Sequence, residues 1–271
     1  VDRVHVKKAF AEYTAAYNAD DPKIKLKIDH TYRVAALCER IAKAAGMCAY
    51  DVELAWLSGM LHDVGRFEQI KRYNTFSDAD SVDHAKFGAD LLFKDGLIST
   101  FLKGMVKCTG YKPGALEDRY DSDGVFLYDR LNKSDMEMLE LAIRCHNMYR
   151  IPQGLNCREQ AFCNVLRDAD KVDIFKVNID APLEEIYNTT TEELMKSDIT
   201  DEVLEAFDEE HCILKAIRRT PADTVIGHVS LAYELVYDES VRITVEQGYL
   251  AKLMHFHSDN EETNRKMAMV R

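Results

Sequence analysis

The chain has 271 residues, with 47 Asp and Glu against 35 Lys and Arg and a formal charge of −12. That balance excludes broad electrostatic attraction to nucleic acid or an anionic membrane, so an anionic ligand would need positive charge supplied locally. No run approaches the roughly 18 apolar residues of a membrane span, and the seven Cys form no C-x-x-C pair, which reads as reduced thiols in a cytoplasmic protein.

In chain order, Val4, Val6, Phe10 and Tyr13 share one face of a first amphipathic helix over 3–18, ended by Asn18-Ala19-Asp20-Asp21-Pro22. A second helix over 23–45 stops at Gly46, and His30, Val34, Leu37 and Ile41 form its inward stripe. The third, with Asp51 as the expected N-cap, carries Leu54, Leu57, Met60 and Leu61 into an adjacent pair, His62-Asp63, with Gly65 as the expected stop. Residues 67–82 are polar and lack a sustained period, reading as a helical turn and then a loop. Helical spacing returns at Asp83-His84, with His84, Phe87 and Leu91 on one side. An irregular insertion is expected over 110–133, with an extended piece at Val125-Phe126-Leu127-Tyr128. Ser134 is the expected cap of a helix running to His146, and another covers 158–177 with Asp170 on it. From Pro182 the pattern is acidic and helical, with one helix beginning at Thr220-Pro221 and ending near Asp238. Strand signals are scarce, so the class is all-α, read as one domain with a helical extension over about 181–271.

His62 and Asp63 are adjacent, and an imidazole and a carboxylate can both ligate a divalent metal, the carboxylate through two oxygens. Two ligands do not complete a coordination sphere. Four further positions on separate helices can add to them: His30, His84, His146 and Asp170. A lone His on an apolar face is more often a hydrogen-bonded core residue. The recurrence of such residues around a His-Asp pair favours a metal site. His5, His211, His228, His255 and His257 have no comparable context.

His30, then Leu61-His62-Asp63-Val64-Gly65-Arg66, then Asp168-Ala169-Asp170-Lys171 resembles the HD superfamily of metal-dependent phosphohydrolases over residues 23–180. The resemblance implies a helical bundle of the HD-domain type and one divalent metal held by His30, His62, Asp63 and Asp170. His84 and His146 are similar to the extra ligands of the two-metal branches, which include cyclic-dinucleotide phosphodiesterases and di-iron oxygenases, and in which the residue matching Asp63 bridges both ions. Arg66 in place of a Lys, and Asn147 in place of a second His, depart from the cyclic-dinucleotide group.

The chemistry implied is hydrolysis of a small phosphorylated substrate, a nucleotide or related metabolite, by metal-activated water. The cofactor is one or two divalent ions, with Mn, Fe, Ni, Mg, Co and Zn all open. Asp63, Arg66 and Lys171 are the expected catalytic residues, Arg66 and Lys171 as cations toward the phosphate. Arg72 and Arg150 are weaker candidates for the same role, since solvated faces usually carry such residues. Glu68 and Asp83 are both open as the acid that protonates the leaving oxygen. Two other readings use the same residues: a di-iron oxygenase, and a metal-retaining binding or signalling module without turnover. The expected partner is the substrate alone, without nucleic acid or membrane, and a homodimer contact through the carboxy-terminal helices is open.

Overall fold

The computed structural model describes residues 1–102, 131–187 and 189–271. These residues contain helices and no strand, an all-α fold. Two compact units divide the chain, Val1–Leu166 and Arg167–Arg271. The expected insertion, up to residue 130 and including 125–128, lies outside the described residues.

The first unit opens with α1 (Arg3–Thr14), capped by Asp2, whose carboxylate accepts the His5 amide. α1 stops four residues short of the expected end. α2 (Pro22–Ala44) starts on an Asp21 cap with Pro at its first turn and ends before Gly46, whose φ of +74° supplies the left-handed residue that closes the helix. α3 (Ala49–Leu61) begins three residues before the expected place. Cys48 is its N-cap, and Asp51 instead stabilises the first turn as an acidic group near the helix amino end.

α4 (Val64–Tyr73) follows almost without a break, so Gly65 lies inside a helix and is not a stop. The reason is close approach. A Cβ on Gly65 would sit 2.5 Å from the His84 carbonyl oxygen and 2.7 Å from the Gly88 nitrogen. The absent side chain therefore lets α4 lie backbone to backbone on α5 (His84–Ala89), which passes into a π-helical turn, Asp90–Lys94, before α6 (Ile98–Phe101). Gly59 plays the same part between α3 and α2, where a Cβ would stand 2.7 Å from the Ala35 Cα. Together these two contacts bring the helix ends carrying His62, Asp63 and His84 toward α2.

α7 (Lys133–Cys145) is capped by Asn132, which exchanges hydrogen bonds with Asp135 in a capping box, and not by Ser134. α8 (Cys157–Asp180) contains the division between the units. The first core is built from Phe10, Leu57, Leu61, Phe67, Ile143 and Phe162, all buried.

In the second unit the acidic stretch forms short helices: α9 (Leu183–Tyr187), α10 (Thr191–Lys196) and α11 (Asp201–Asp208). The helix expected to run to Asp238 breaks into α12 (Pro221–Val229) and a 3-10 turn, Ser230–Glu234. Ser230 accounts for the break: its hydroxyl donates to the Gly227 carbonyl at 2.9 Å and accepts the Ile213 amide at 3.0 Å, diverting groups that would continue the helix. α13 (Asp238–Gln247), α14 (Tyr249–Met254) and α15 (Glu261–Val270) complete the chain. Phe175, Leu194, Val203, Val225, Ile226 and Met267 lie in its core. No described helix is long and apolar enough to cross a membrane.

Candidate metal centre

Five of the six expected ligands come together in the first unit, each carried by a different helix or helix end. His30 sits within α2, His62 just past α3, Asp63 before α4, His84 at the first position of α5, and His146 just past α7. All five are buried. Asp63 adopts φ −106°, ψ 15°, the sparsely populated bridge region where many active-site residues sit. It occupies the N-cap position of α4, yet its side chain makes no capping bond. An Asp there ordinarily accepts a helix amide; here the carboxylate turns to the histidines.

The carboxylate divides the histidines into two pairs. Oδ2 lies 3.5 Å from both His30 Nε2 and His62 Nε2, whereas Oδ1 lies 3.6 Å from His84 Nε2 and 3.8 Å from His146 Nε2. Within the pairs the Nε2 atoms are 3.3 Å apart for His30 and His62 and 3.1 Å for His84 and His146. Two ligands held at about 2.0–2.1 Å from one ion, at right to tetrahedral angles, stand about 2.9–3.4 Å apart. The spacing of both pairs fits donors that converge on a shared cation.

Hydrogen bonding at the far side of the rings makes the same point. His62 Nδ1 donates to the Gly59 carbonyl at 2.8 Å and His146 Nδ1 to the Ile143 carbonyl at 2.7 Å. The same device occurs twice: a His just past a helix satisfies one of its orphan end carbonyls. His84 Nδ1 contacts both oxygens of Asp78, at 2.7 and 2.9 Å. A carbonyl or a carboxylate can only accept, so these bonds assign the proton to Nδ1 and leave Nε2 with its lone pair. In the His84–His146 pair the two Nε2 atoms face each other across 3.1 Å, an arrangement that suits a shared cation. A proton does not serve well there, because burial, with the Arg66 charge, pushes His84 down to about 3. Asp63 Oδ1 is buried and accepts no hydrogen bond. Burial opposes charge on Asp63, but Lys27, the neighbouring histidines and Arg66 hold its carboxyl well below the usual range. An anionic carboxylate set between two imidazole pairs, with one oxygen that accepts no hydrogen bond, fits divalent metal. The same atoms form two groupings able to hold an ion, His30/His62/Asp63 and Asp63/His84/His146.

The surroundings of the other expected residues are as follows. Arg66 Nη1 donates to Gln69 Oε1 at 2.7 Å, the Phe76 carbonyl at 2.7 Å and Asp78 Oδ1 at 3.0 Å. It therefore braces the segment that orients His84. Glu68 accepts from Tyr17 and pairs with Arg72; against burial, these partners lower its carboxyl pKa, the wrong direction for an acid meant to give up a proton. Asp83 caps α5 and accepts from Asn147 at 2.9 Å. Its pKa also falls, despite burial, through Lys86 and Asn147. Arg72 stacks over Phe87 and Arg150 over Tyr149. Asp170, half-buried, and Lys171, buried, lie on α8 in the second unit. Burial pushes Lys171 down to about 8, Arg167 adds to the shift, and Asp168 and Glu234 oppose it.

Sequence reasoning missed three residues of the first unit. Asp78 holds His84, with burial opposing and His84 and Arg66 enforcing a lowered pKa. Gln69 donates to Asp78 at 3.1 Å and to the Val82 carbonyl at 3.0 Å. Lys27 Nζ donates to Asp63 Oδ2 at 2.7 Å. Only Lys27 carried a usable signal, three residues before His30 on the same face of α2.

The folded chain thus presents a buried carboxylate–histidine centre that could hold divalent cations on a helical scaffold. The HD domain matches residues 28–175, more than half of the sequence, and the chain belongs to the HD-domain family. That family consists largely of metal-dependent phosphohydrolases. No curated protein and no solved structure gives a significant match.

Proposed function

We propose that this HD-domain protein is a metal-dependent phosphohydrolase that cleaves a small phosphate ester, a nucleotide or related phosphorylated metabolite. One observation carries the reading: Asp63 turns one oxygen to each of two histidine pairs and leaves Oδ1 without a hydrogen bond. Divalent ions held there would lower the pKa of a water and neutralise charge on phosphoryl oxygens. The chain's own part is to hold that centre rigidly. The Gly59 and Ile143 carbonyls and the Asp78 carboxylate fix three imidazoles in the ligating tautomer. Arg66, Gln69 and Asn147 in turn hold Asp78. On the family resemblance the reading adds Asp170 as a sixth ligand and Lys171 as a cation toward the phosphate.

The test is phosphate release from a panel of phosphomonoesters and phosphodiesters by protein loaded with Mn, Fe, Ni, Co, Mg or Zn in turn. The expected result is metal-dependent release that disappears in Asp63→Asn. Oxygen consumption by the iron form with a polyol or a phosphonate, without phosphate release, would replace the reading with an oxygenase. Metal retention without turnover would replace it with a binding module.

A further inference from the structure

The two halves of the centre are not equivalent. At Oδ2 the carboxylate already has a hydrogen-bonding cation, the Lys27 ammonium at 2.7 Å; at Oδ1 it has no hydrogen bond, and the Arg66 Nε stands farther off at 3.8 Å. The histidine pairs differ in the same sense. His30 and His62 can share a hydrogen bond, one ring donating from Nε2 to the other at 3.3 Å. His84 and His146 both commit Nδ1, to Asp78 and to the Ile143 carbonyl, and turn their Nε2 atoms toward each other at the shorter distance of 3.1 Å.

Lys27 is also placed to leave. Its side chain is 16% exposed, at the rim of a centre whose ligands are buried. Its ammonium lies 5.4 Å from the ring centre of half-buried Phe76, a face that stabilises a cation. The other cation beside Asp63, Arg66, is held by Gln69, the Phe76 carbonyl and Asp78. A phosphate approaching this acidic chain needs a local positive charge, and Lys27 is the cation near Asp63 that no second carboxylate ties down in a described contact.

We propose that Lys27 is an exchangeable cation of this site: it neutralises Asp63 at Oδ2 until a metal ion takes that oxygen, and it then binds the phosphoryl group of the ligand. The His84–His146 half therefore loads first and more tightly, and the His30–His62 half loads against the ammonium. The phosphate arm rests on the phosphohydrolase reading; the metal arm does not.

The experiment is calorimetric titration of the chelator-treated full chain with Mn2+, comparing wild type, Lys27→Met and Lys27→Arg. This is followed by titration of each Mn2+-loaded protein with inorganic phosphate. Wild type is expected to bind in two unequal steps. Lys27→Met should tighten the weaker step at least tenfold without changing stoichiometry, and should weaken phosphate binding at least tenfold. Lys27→Arg should restore the inequality and part of the phosphate affinity. A weaker metal step unchanged in Lys27→Met, or phosphate affinity unchanged in it, would each overturn the exchange. Both arms can succeed while no phosphate ester is cleaved, in which case the phosphohydrolase reading fails and the exchange stands.

Discussion

Asp63 in the first unit and Asp223 in the second are both buried carboxylates, 2% and 0% exposed, at the start of helices. Asp223 is saturated. It accepts the amides of Thr200 at 2.8 Å, Arg219 at 2.8 Å and Thr220 at 3.1 Å, and the Thr200 hydroxyl at 3.1 Å. Every donor is a backbone amide or a hydroxyl, and together they tie Asp223 to the Thr200 turn and to its own helix start, so this charge serves the fold. Asp63 accepts instead from the Lys27 ammonium at Oδ2 and faces four imidazole Nε2 atoms, while its Oδ1 accepts no hydrogen bond. Burial alone does not distinguish a structural carboxylate from a functional one; the identity of its donors does.

The largest effect should come from Asp63→Ala, which should abolish metal retention and activity while leaving helical content and cooperative unfolding in chelator close to wild type, as read by circular dichroism and calorimetry. Asp223→Ala should show the opposite pattern. Leaving four donors without their acceptor should cost about 3 kcal/mol in thermal or urea unfolding, with metal content per folded chain unchanged. If both variants lost metal and stability together, the distinction drawn between them would fail. Gly65→Ala should cost about 2 kcal/mol, since its Cβ meets backbone atoms of α5 that cannot step aside, and should also displace His84, seen as a weakened metal step. Asp78→Asn should preserve the fold and lower affinity for one ion about 10- to 100-fold, the usual effect of removing the group that orients a ligating histidine. Equal weakening of both ions by Asp78→Asn would show that the two halves are not separable.

Much of this centre was legible in the sequence, because apolar helical stripes assign the inward positions and the His-Asp adjacency singles out its middle. His30 announced itself through Val34, Leu37 and Ile41, and His62 and Asp63 through the run that precedes them. What was hidden depended on tertiary approach. Gly65 carries the local signature of a helix stop, and only the backbone of α5 against it explains a helix that runs on. Asp78 lies in a polar stretch without a period, and only the fold brings it to His84. The carboxylate that engages Arg66 sits twelve residues later, beyond the reach of a helical-spacing argument. The helix caps were misassigned by a few residues for a simpler reason: Ser134 and Asp51 stand beside Asn132 and Cys48, and in the Ser134 case the competing Asn132 forms the full capping box.

The central claim is that Asp63 joins two cation sites. Elemental analysis of protein purified without chelator, alongside His146→Ala, tests it most directly. Two ions per chain in the wild type and one in the variant would agree with the geometry described. No metal after reconstitution, or a stoichiometry that His146→Ala leaves unchanged, would contradict it.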